Sequence, residues 1–215
     1  LPSQGLLELR EEIAKHISKT RKITIKPEEV VVVPGGKPMI FYSIMATVNP
    51  GDEVIVPNPG FPTYESVVNF VGAKSISLPI LAENNFQVDL KQLAKFITKK
   101  TRLIVVNSPH NPTGGILTRQ NLIGIANLAK KHNLWVLSDE VYDRLIFEGK
   151  FESIASFPKM KERTIVLNAF TKTYSMSGWR LGYGVMPADL AKIVANLINN
   201  SISCTPNFIQ WAGIA

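Results

Sequence analysis

The sequence predicts an α/β protein whose parallel sheet is covered by helices on both faces. Seven short apolar runs alternate along the chain with stretches of helical periodicity, a pattern typical of strands joined by helical crossovers. The runs are nearly continuous in Val, Ile and Leu, as expected of strands that are buried on both sides. Because no repeat, low-complexity stretch or linker interrupts the pattern, we expect a single domain over residues 1–215.

The elements begin with an amphipathic helix and then alternate. A helix over 6–17 places Leu6, Leu9, Ile13 and Ile17 on one side. The predicted strands are 30–33, 54–57, 75–78, 103–107, 134–138, 164–169 and 182–185. The other predicted helices are 37–48, 63–71, 89–98, 118–131 and 188–199. The last residues, 207–215, have the pattern of a helix cut in its first turns, so we expect further sequence downstream.

Composition excludes several classes of protein. Apolar residues make up 45% of the 215 and charged residues 19%, which is typical of a globular domain. No apolar run approaches the roughly 18 residues of a membrane-spanning helix, and residues 1–5 resemble no secretory signal, so we expect a cytoplasmic protein. A single cysteine, Cys204, excludes an internal disulfide and is expected to be a partly buried thiol. The three histidines show no metal-ligand spacing, and the net charge of +7 is scattered, which argues against nucleic-acid binding.

Chemically capable residues follow the first two predicted strands. Loops after parallel strands emerge at one edge of a sheet, where open α/β proteins place their sites. The segment Pro34-Gly35-Gly36-Lys37 precedes a helix, and glycines at a helix start let backbone N–H groups approach an anion. The proline-rich loop 57–64 carries Phe61, which could stack on a planar ring or pack as an ordinary loop aromatic.

Polar residues follow the fourth and fifth predicted strands. Asn111 lies in a dense turn segment, where its amide could bind a ligand oxygen or form an Asx turn. Asp139 and Tyr142 are three residues apart, so a helical turn would direct both side chains into one cavity. Buried aspartates are rare unless paired, and a cationic ring nitrogen would suit Asp139.

The segment after the sixth predicted strand is the most informative. Lys172 follows the strand, and Arg180 follows eight residues later beyond a Ser-Gly turn. A lysine amine can form a Schiff base with an aldehyde cofactor, and an arginine can bind a phosphate through two hydrogen bonds. Together with the preceding loops, these groups match an anionic, aromatic, aldehyde-bearing cofactor, pyridoxal phosphate.

Taken together, these segments resemble the class I/II aminotransferases, which are fold-type I pyridoxal-phosphate enzymes. The resemblance covers essentially all 215 residues. The segments that carry it are Ser3-Gln4-Gly5, Leu9-Arg10, Pro50-Gly51-Asp52-Glu53-Val54, Asn111-Pro112-Thr113-Gly114, Asp139-Glu140-Val141-Tyr142, and Lys172 with Gly178-Trp179-Arg180-Leu181-Gly182-Tyr183. The resemblance implies a three-layer α/β/α domain with a mostly parallel seven-stranded sheet, of which strand 182–185 is antiparallel.

The resemblance also implies roles around the cofactor ring. Lys172 would form the Schiff base with the cofactor and later carry the proton between the substrate Cα and the cofactor C4′. Asp139 would pair with the ring nitrogen and keep it protonated. Tyr142 and Asn111 would hydrogen-bond the ring oxygen O3′, and Phe61 would stack on the ring.

A second set of residues would bind the cofactor phosphate. Arg180 and the backbone of Gly36 and Lys37 would hold it, and Thr171 could add a hydroxyl. Many family members have Ser at the position of Ala169, so one phosphate hydrogen bond is expected to be absent. Many also have Asn where His110 stands, a difference to which we assign no role.

The resemblance predicts an aminotransferase that moves an amino group from an amino acid to a 2-oxo acid in a ping-pong reaction. The family's N-terminal arm and C-terminal small domain are not in this chain, so we expect the chain alone to be inactive. The resemblance also leads us to expect that the full-length parent is a homodimer. With Phe208 and Trp211 exposed, we also expect poor solubility. Two alternatives stay open: a pyridoxal-phosphate-dependent lyase or decarboxylase of the same fold, and the aminotransferase-like sensor domain of a transcription regulator.

Overall fold

A seven-stranded sheet forms the centre of the structure, a computed structural model that describes residues 2–215. The strands lie in the order β1-β7-β6-β5-β4-β2-β3. Strand β7 is antiparallel to both of its neighbours, β1 and β6, whereas the other neighbouring strands are parallel. The predicted fold class, including the antiparallel last strand, is therefore confirmed.

The strands and helices have the following bounds. The strands are β1 Val30–Val33, β2 Glu53–Asn58, β3 Lys74–Pro79, β4 Thr101–Asn107, β5 Trp135–Asp139, β6 Thr164–Ala169 and β7 Gly182–Val185. The helices are α1 Leu7–Arg21, α2 Lys37–Thr47, α3 Thr63–Phe70, α4 Leu90–Phe96, α5 Arg119–Lys131, α6 Phe170–Thr173, α7 Ala188–Asn199 and α8 Asn207–Ile214. Short 3₁₀ turns lie at Pro27–Glu29, Ala82–Asn84, Ile154–Ser156 and Lys161–Arg163.

Apolar side chains on both faces of the sheet form the core. In β4, Leu103 and Val105 pack into a cluster with α2, α3 and α7, whereas Ile104 and Val106 pack on the opposite face with α4 and α5. Near β1 that opposite face is covered by α1 and α8 instead. Because successive strand residues point to opposite faces, a continuous apolar run is what two helical layers require.

The structure corrects several predicted boundaries. Helix α1 continues beyond residue 17 to Arg21, which is buried. The next residue, Lys22, terminates the helix with a left-handed φ of 55°. Helix α4 is shorter than predicted, because Ile97 is already extended. Strand β5 includes Asp139 instead of ending at residue 138, because Asp139 still pairs with β4 and β6. The one-turn helix α6 was not predicted.

Several surface features bear on the expectations from sequence. Phe208 and Trp211 on α8 are 70% and 49% exposed, and Cys204 is partly buried, as predicted. Within residues 2–215, no helix combines the length and apolarity needed to cross a bilayer. No group of three His, Cys, Asp or Glu side chains in that range is arranged to hold a metal ion.

Candidate active site

A cleft of about 330 Å³ lies at the carboxyl ends of the parallel strands. The sequence-predicted site residues all line it: Gly36, Lys37, Phe61, Asn111, Asp139, Tyr142, Thr171, Lys172 and Arg180. They come from segments that follow β1, β2, β4, β5 and β6, with Asp139 at the end of β5 itself. Parallel strands bring these distant segments to one edge, which is why the sequence could anticipate their proximity.

Asp139 forms the buried floor of the cleft. Its side chain is 6% exposed and accepts hydrogen bonds from the Tyr64 hydroxyl at 2.5 Å and the Val141 N–H at 3.3 Å. Burial raises the pKa of Asp139 to about 6, although the hydrogen bonds from Tyr64 and Val141 act in the opposite direction. Desolvation therefore dominates, because no cationic side chain among residues 2–215 forms an ion pair with this carboxylate.

Lys172 places an amine in the same cleft. It lies on α6, directly after β6, and its Nζ is 5.5 Å from the centre of the Tyr142 ring. Tyr142 is held by two turn hydrogen bonds, Asp143 N–H to Glu140 O at 3.0 Å and Leu145 N–H to Tyr142 O at 2.9 Å. An amine, a phenol and a buried carboxyl group thus line one space.

Arg180 and the start of α2 form the cationic end of the cleft. Arg180 has a left-handed φ of 55°, and its Nη1 donates to the Ser177 carbonyl oxygen at 2.8 Å. The guanidinium lies so close to Gly35 that a Cβ at this position would overlap it. Gly35 also has a φ of +87°, a left-handed backbone conformation that disfavours a side chain even if the guanidinium shifts. The first N–H groups of a helix lack intrahelical acceptors, which makes this end suitable for an anion.

Phe61 and Lys37 meet at one side of the cleft. The Phe61 ring packs edge-on against Tyr64 with 5.9 Å between centroids, and Lys37 Nζ is 5.4 Å from the Phe61 ring centre. His110 forms part of a turn, in which its backbone exchanges hydrogen bonds with Gly114 and Gly115, and it does not line the cleft.

Three polar residues that line the cleft were not identified as site residues from the sequence: Tyr64, Asn107 and Ser177. Tyr64 is buried and donates to Asp139. Asn107 accepts from the Asn111 N–H at 2.8 Å and donates to the carbonyl oxygens of Pro109 and Asp139 at 3.3 and 3.2 Å. Asn107 ends an apolar strand, a signal that could have indicated a role. Tyr64 has no comparable local signal, because α3 reaches Asp139 only through tertiary packing.

Comparison with known proteins identifies the family. The family model described as aminotransferase class I and II matches residues 1–215. The chain belongs to the class I and II aminotransferase family. This membership confirms the resemblance inferred from the sequence motifs.

Individual aminotransferases are similar over almost the whole chain. The arginine–pyruvate transaminase of Pseudomonas aeruginosa is 40% identical over 209 residues, which cover 97% of this chain and 53% of that protein. The aspartate aminotransferase of Pyrococcus abyssi is 38% identical over 213 residues, which cover 98% of this chain and 55% of that protein. The solved aromatic aminotransferase of Pyrococcus horikoshii superposes with a TM-score of 0.97 at 38% identity, over 100% of this chain and 58% of that one. This aminotransferase-family chain thus spans about half the length of the relatives it matches.

Proposed function

We propose that this chain forms the cofactor-binding part of a pyridoxal-phosphate-dependent aminotransferase, which transfers an amino group from an amino acid to a 2-oxo acid in a ping-pong reaction. The observation that carries the proposal is the arrangement of Asp139, Lys172 and Arg180 around one cleft. None of the three forms an ion pair within residues 2–215, so their charges are available to a ligand.

These charged groups fit different parts of pyridoxal phosphate. A lysine amine suits the aldehyde, a guanidinium beside a helix start suits the phosphate, and a buried carboxylate suits the protonated pyridine nitrogen. The cleft volume of about 330 Å³ falls within the usual range for small-molecule sites. The fit therefore rests on the complementary chemistry of this chain's side chains.

The ring-binding residues would position groups for proton transfer. When bound, pyridoxal phosphate supplies a reactive aldehyde and an electron-withdrawing ring. The Lys172 amine would act as nucleophile and proton carrier, while the Asp139 carboxylate would hold a proton on the ring nitrogen. Tyr142 and Asn111 would donate hydrogen bonds to the ring oxygen, and Phe61 would cover one face of the ring.

The phosphate would be bound at the opposite end of the cleft. Arg180 would contribute two N–H donors, the backbone of Gly36 and Lys37 would contribute N–H groups, and Thr171 a hydroxyl. Each of these residues lines the cleft, and the α2 N-terminus adds a favourable partial positive charge.

Replacing Arg180 by Lys should weaken cofactor binding, because an ammonium cannot reproduce the paired donors of a guanidinium. Loss of one charge-assisted hydrogen bond, worth about 1.5–3 kcal/mol, predicts a roughly 10- to 100-fold higher Kd. Titration with pyridoxal phosphate followed by absorbance would measure it. Arg163→Lys, at a partly buried arginine bonded to Asn133 outside the cleft, is the matched control. Equal Kd values for the wild-type protein, Arg180→Lys and Arg163→Lys would contradict the phosphate role.

The proposal extends to substrates and assembly. The relatives are named for arginine–pyruvate, aspartate and aromatic substrates, so we propose amino acids and 2-oxo acids as the substrate class without choosing a side chain. The family resemblance also supports a cytoplasmic homodimer for the complete protein.

Reductive trapping tests the proposed function directly. The complete product of the gene is mixed with pyridoxal phosphate, reduced with borohydride and mapped by peptide mass spectrometry. We expect a visible absorbance band that reduction removes, with the adduct on Lys172. An absence of adduct on Lys172 would overturn the proposal.

A half-reaction then separates transamination from the other chemistry of this fold. Single amino acids are added without an oxo acid, and the cofactor and organic products are analysed. A transaminase produces pyridoxamine phosphate and one equivalent of the 2-oxo acid. Release of carbon dioxide or of a side-chain fragment, with the aldehyde form retained, would indicate a decarboxylase or lyase instead.

A further inference from the structure

A buried ion cluster lies behind the cleft floor. The buried side chains of α1 are Leu9, Ile13, Ala14, Ile17 and Arg21. A cation therefore occupies the last position of an otherwise apolar stripe. The Arg21 side chain is 4% exposed. A buried guanidinium is costly unless charges and hydrogen bonds compensate it.

Two acidic residues in the turn that follows Asp139, Glu140 and Asp143, compensate the buried charge of Arg21. Its Nε is 2.9 Å from Glu140 Oε2, and its Nη2 contacts Asp143 Oδ2. The two acidic side chains are 1% and 2% exposed. The guanidinium also lies over the Phe151 ring, 4.6 Å from its centre. The cation is therefore enclosed by partners on several sides.

Both oxygens of the Glu140 carboxylate have partners, since Oε2 pairs with Arg21 and Oε1 accepts two hydrogen bonds. Its second oxygen, Oε1, accepts from Ser138 Oγ at 2.9 Å and Ser153 Oγ at 2.5 Å. Its backbone N–H donates to the Leu167 carbonyl oxygen at 2.9 Å. Glu140 thus joins β5, β6 and the 153–156 turn, and its orientation is fixed from both ends of the side chain.

The cluster encloses the segment that carries two of the proposed cofactor contacts. Glu140 and Asp143 bracket Tyr142, and Asp139 immediately precedes Glu140. Arg21 itself does not line the cleft, so its influence on the site has to pass through the backbone of residues 139–143.

We infer that Arg21 is a positioning residue, which through Glu140 and Asp143 holds Asp139 and Tyr142 in the geometry that binds the cofactor; this inference rests on the proposed function. Without the guanidinium, two carboxylates would be buried close together, and their repulsion would displace the turn. A lysine would keep the charge but could not bind both carboxylates in the same fork geometry.

The first test uses the cofactor-free protein. In Arg21→Lys, amide hydrogen exchange at Glu140, Val141 and Asp143 should be about tenfold faster relative to amides of α7, which packs in a different core cluster from Leu93. The matched control is Leu93→Ala, a buried α4 substitution in a different core cluster, compared at temperatures equally far below each melting midpoint. Uniform acceleration in both variants would assign Arg21 a purely structural role and overturn the inference.

The second test measures cofactor affinity. We expect Arg21→Lys to raise the Kd for pyridoxal phosphate about tenfold, since small displacements of positioned groups have large effects, whereas Leu93→Ala changes it by less than about twofold. If Arg21→Lys does not fold, Glu140→Gln replaces it, with the same direction and about a threefold effect. If the wild-type protein fails to capture the cofactor on Lys172, the proposed function is overturned. If the wild-type protein captures it but Arg21→Lys and Glu140→Gln bind it with unchanged affinity, only the role of Arg21 is overturned.

Discussion

Replacing Lys172 by Ala is expected to abolish covalent capture of pyridoxal phosphate and to reduce transamination by about 10⁴-fold or more. The substitution removes both the nucleophilic amine and the proton carrier, and general acid–base catalysis alone contributes typically 10²–10⁴-fold. The measurements are the visible absorbance of the cofactor complex, mass mapping after borohydride reduction, and the rate of 2-oxo acid formation. Lys172→Arg would keep the charge and should fail in the same way.

Lys37 provides the matched control for this experiment. Lys37 and Lys172 both line the cleft, but Lys37 lies near Phe61 at the start of α2, whereas Lys172 lies near Tyr142. The proposed mechanism therefore predicts that Lys37→Ala retains the adduct on Lys172. An adduct that persists in Lys172→Ala and maps to Lys37 would contradict the role assigned to Lys172.

The fold was predictable because its signals are local and redundant. A strand such as β4, with apolar residues facing both helical layers, requires an apolar run that no solvent-facing strand would have. Loops that follow parallel strands reach the same edge whatever their separation in sequence. Residues as distant as Gly36 and Arg180 could therefore be assigned to one cleft before their distance was known.

The sequence is less informative about polar residues that are buried by contacts with distant parts of the chain. The apolar pattern of the first helix stops at residue 17, and the prediction stops with it, yet Arg21 continues the buried stripe through its ion pairs. Tyr64 looks like an ordinary helical aromatic, and its bond to Asp139 depends on how α3 packs against the sheet. Such contacts join positions far apart in the chain, so no local sequence pattern predicts them.

Strand ends are uncertain for a related reason. The sequence predicts that β5 ends at residue 138, where the apolar run stops, and that Asp139 lies in the loop that follows. The structure instead continues the ladder through Asp139 and buries its carboxyl group. The failure of the simple rule at this residue agrees with the view that local rules break most often at functional sites.

Replacing Asp139 by Asn is expected to stabilise the cofactor-free protein at neutral pH while impairing catalysis. The folded-state pKa of about 6 lies above the ordinary value of 3.8 for this carboxyl group, so between these values the folded protein binds more protons than the unfolded chain. The free energy of unfolding should therefore fall as pH rises through this window and remain lower above it. A two-unit difference corresponds to about 3 kcal/mol as an upper value.

The amide introduced by Asp139→Asn would remove this penalty without removing the contact to α3. Its oxygen can still accept the Tyr64 hydroxyl, which lies 2.5 Å from the carboxylate in the wild-type protein. Its NH₂ loses the long 3.3 Å bond from the Val141 N–H but carries no charge to desolvate. We expect Asp139→Asn to raise the free energy of unfolding at pH 8 by about 1–3 kcal/mol. Urea unfolding at pH 4.5 and pH 8 should show a smaller pH dependence than in the wild-type protein.

Asp189→Asn is the control, because this carboxylate is exposed and its ion pair with Lys192 is exposed too, so its replacement should leave the pH dependence unchanged. With cofactor bound the effect of Asp139→Asn should reverse, since an amide cannot hold a proton on the ring nitrogen as a carboxylate does. Loss of such a preorganised charge typically costs about 10²–10³-fold in rate. In this account a destabilising buried carboxylate is retained because the bound cofactor needs it. The account would be contradicted if Asp139→Asn were less stable than the wild-type protein at pH 8, or if it were equally active.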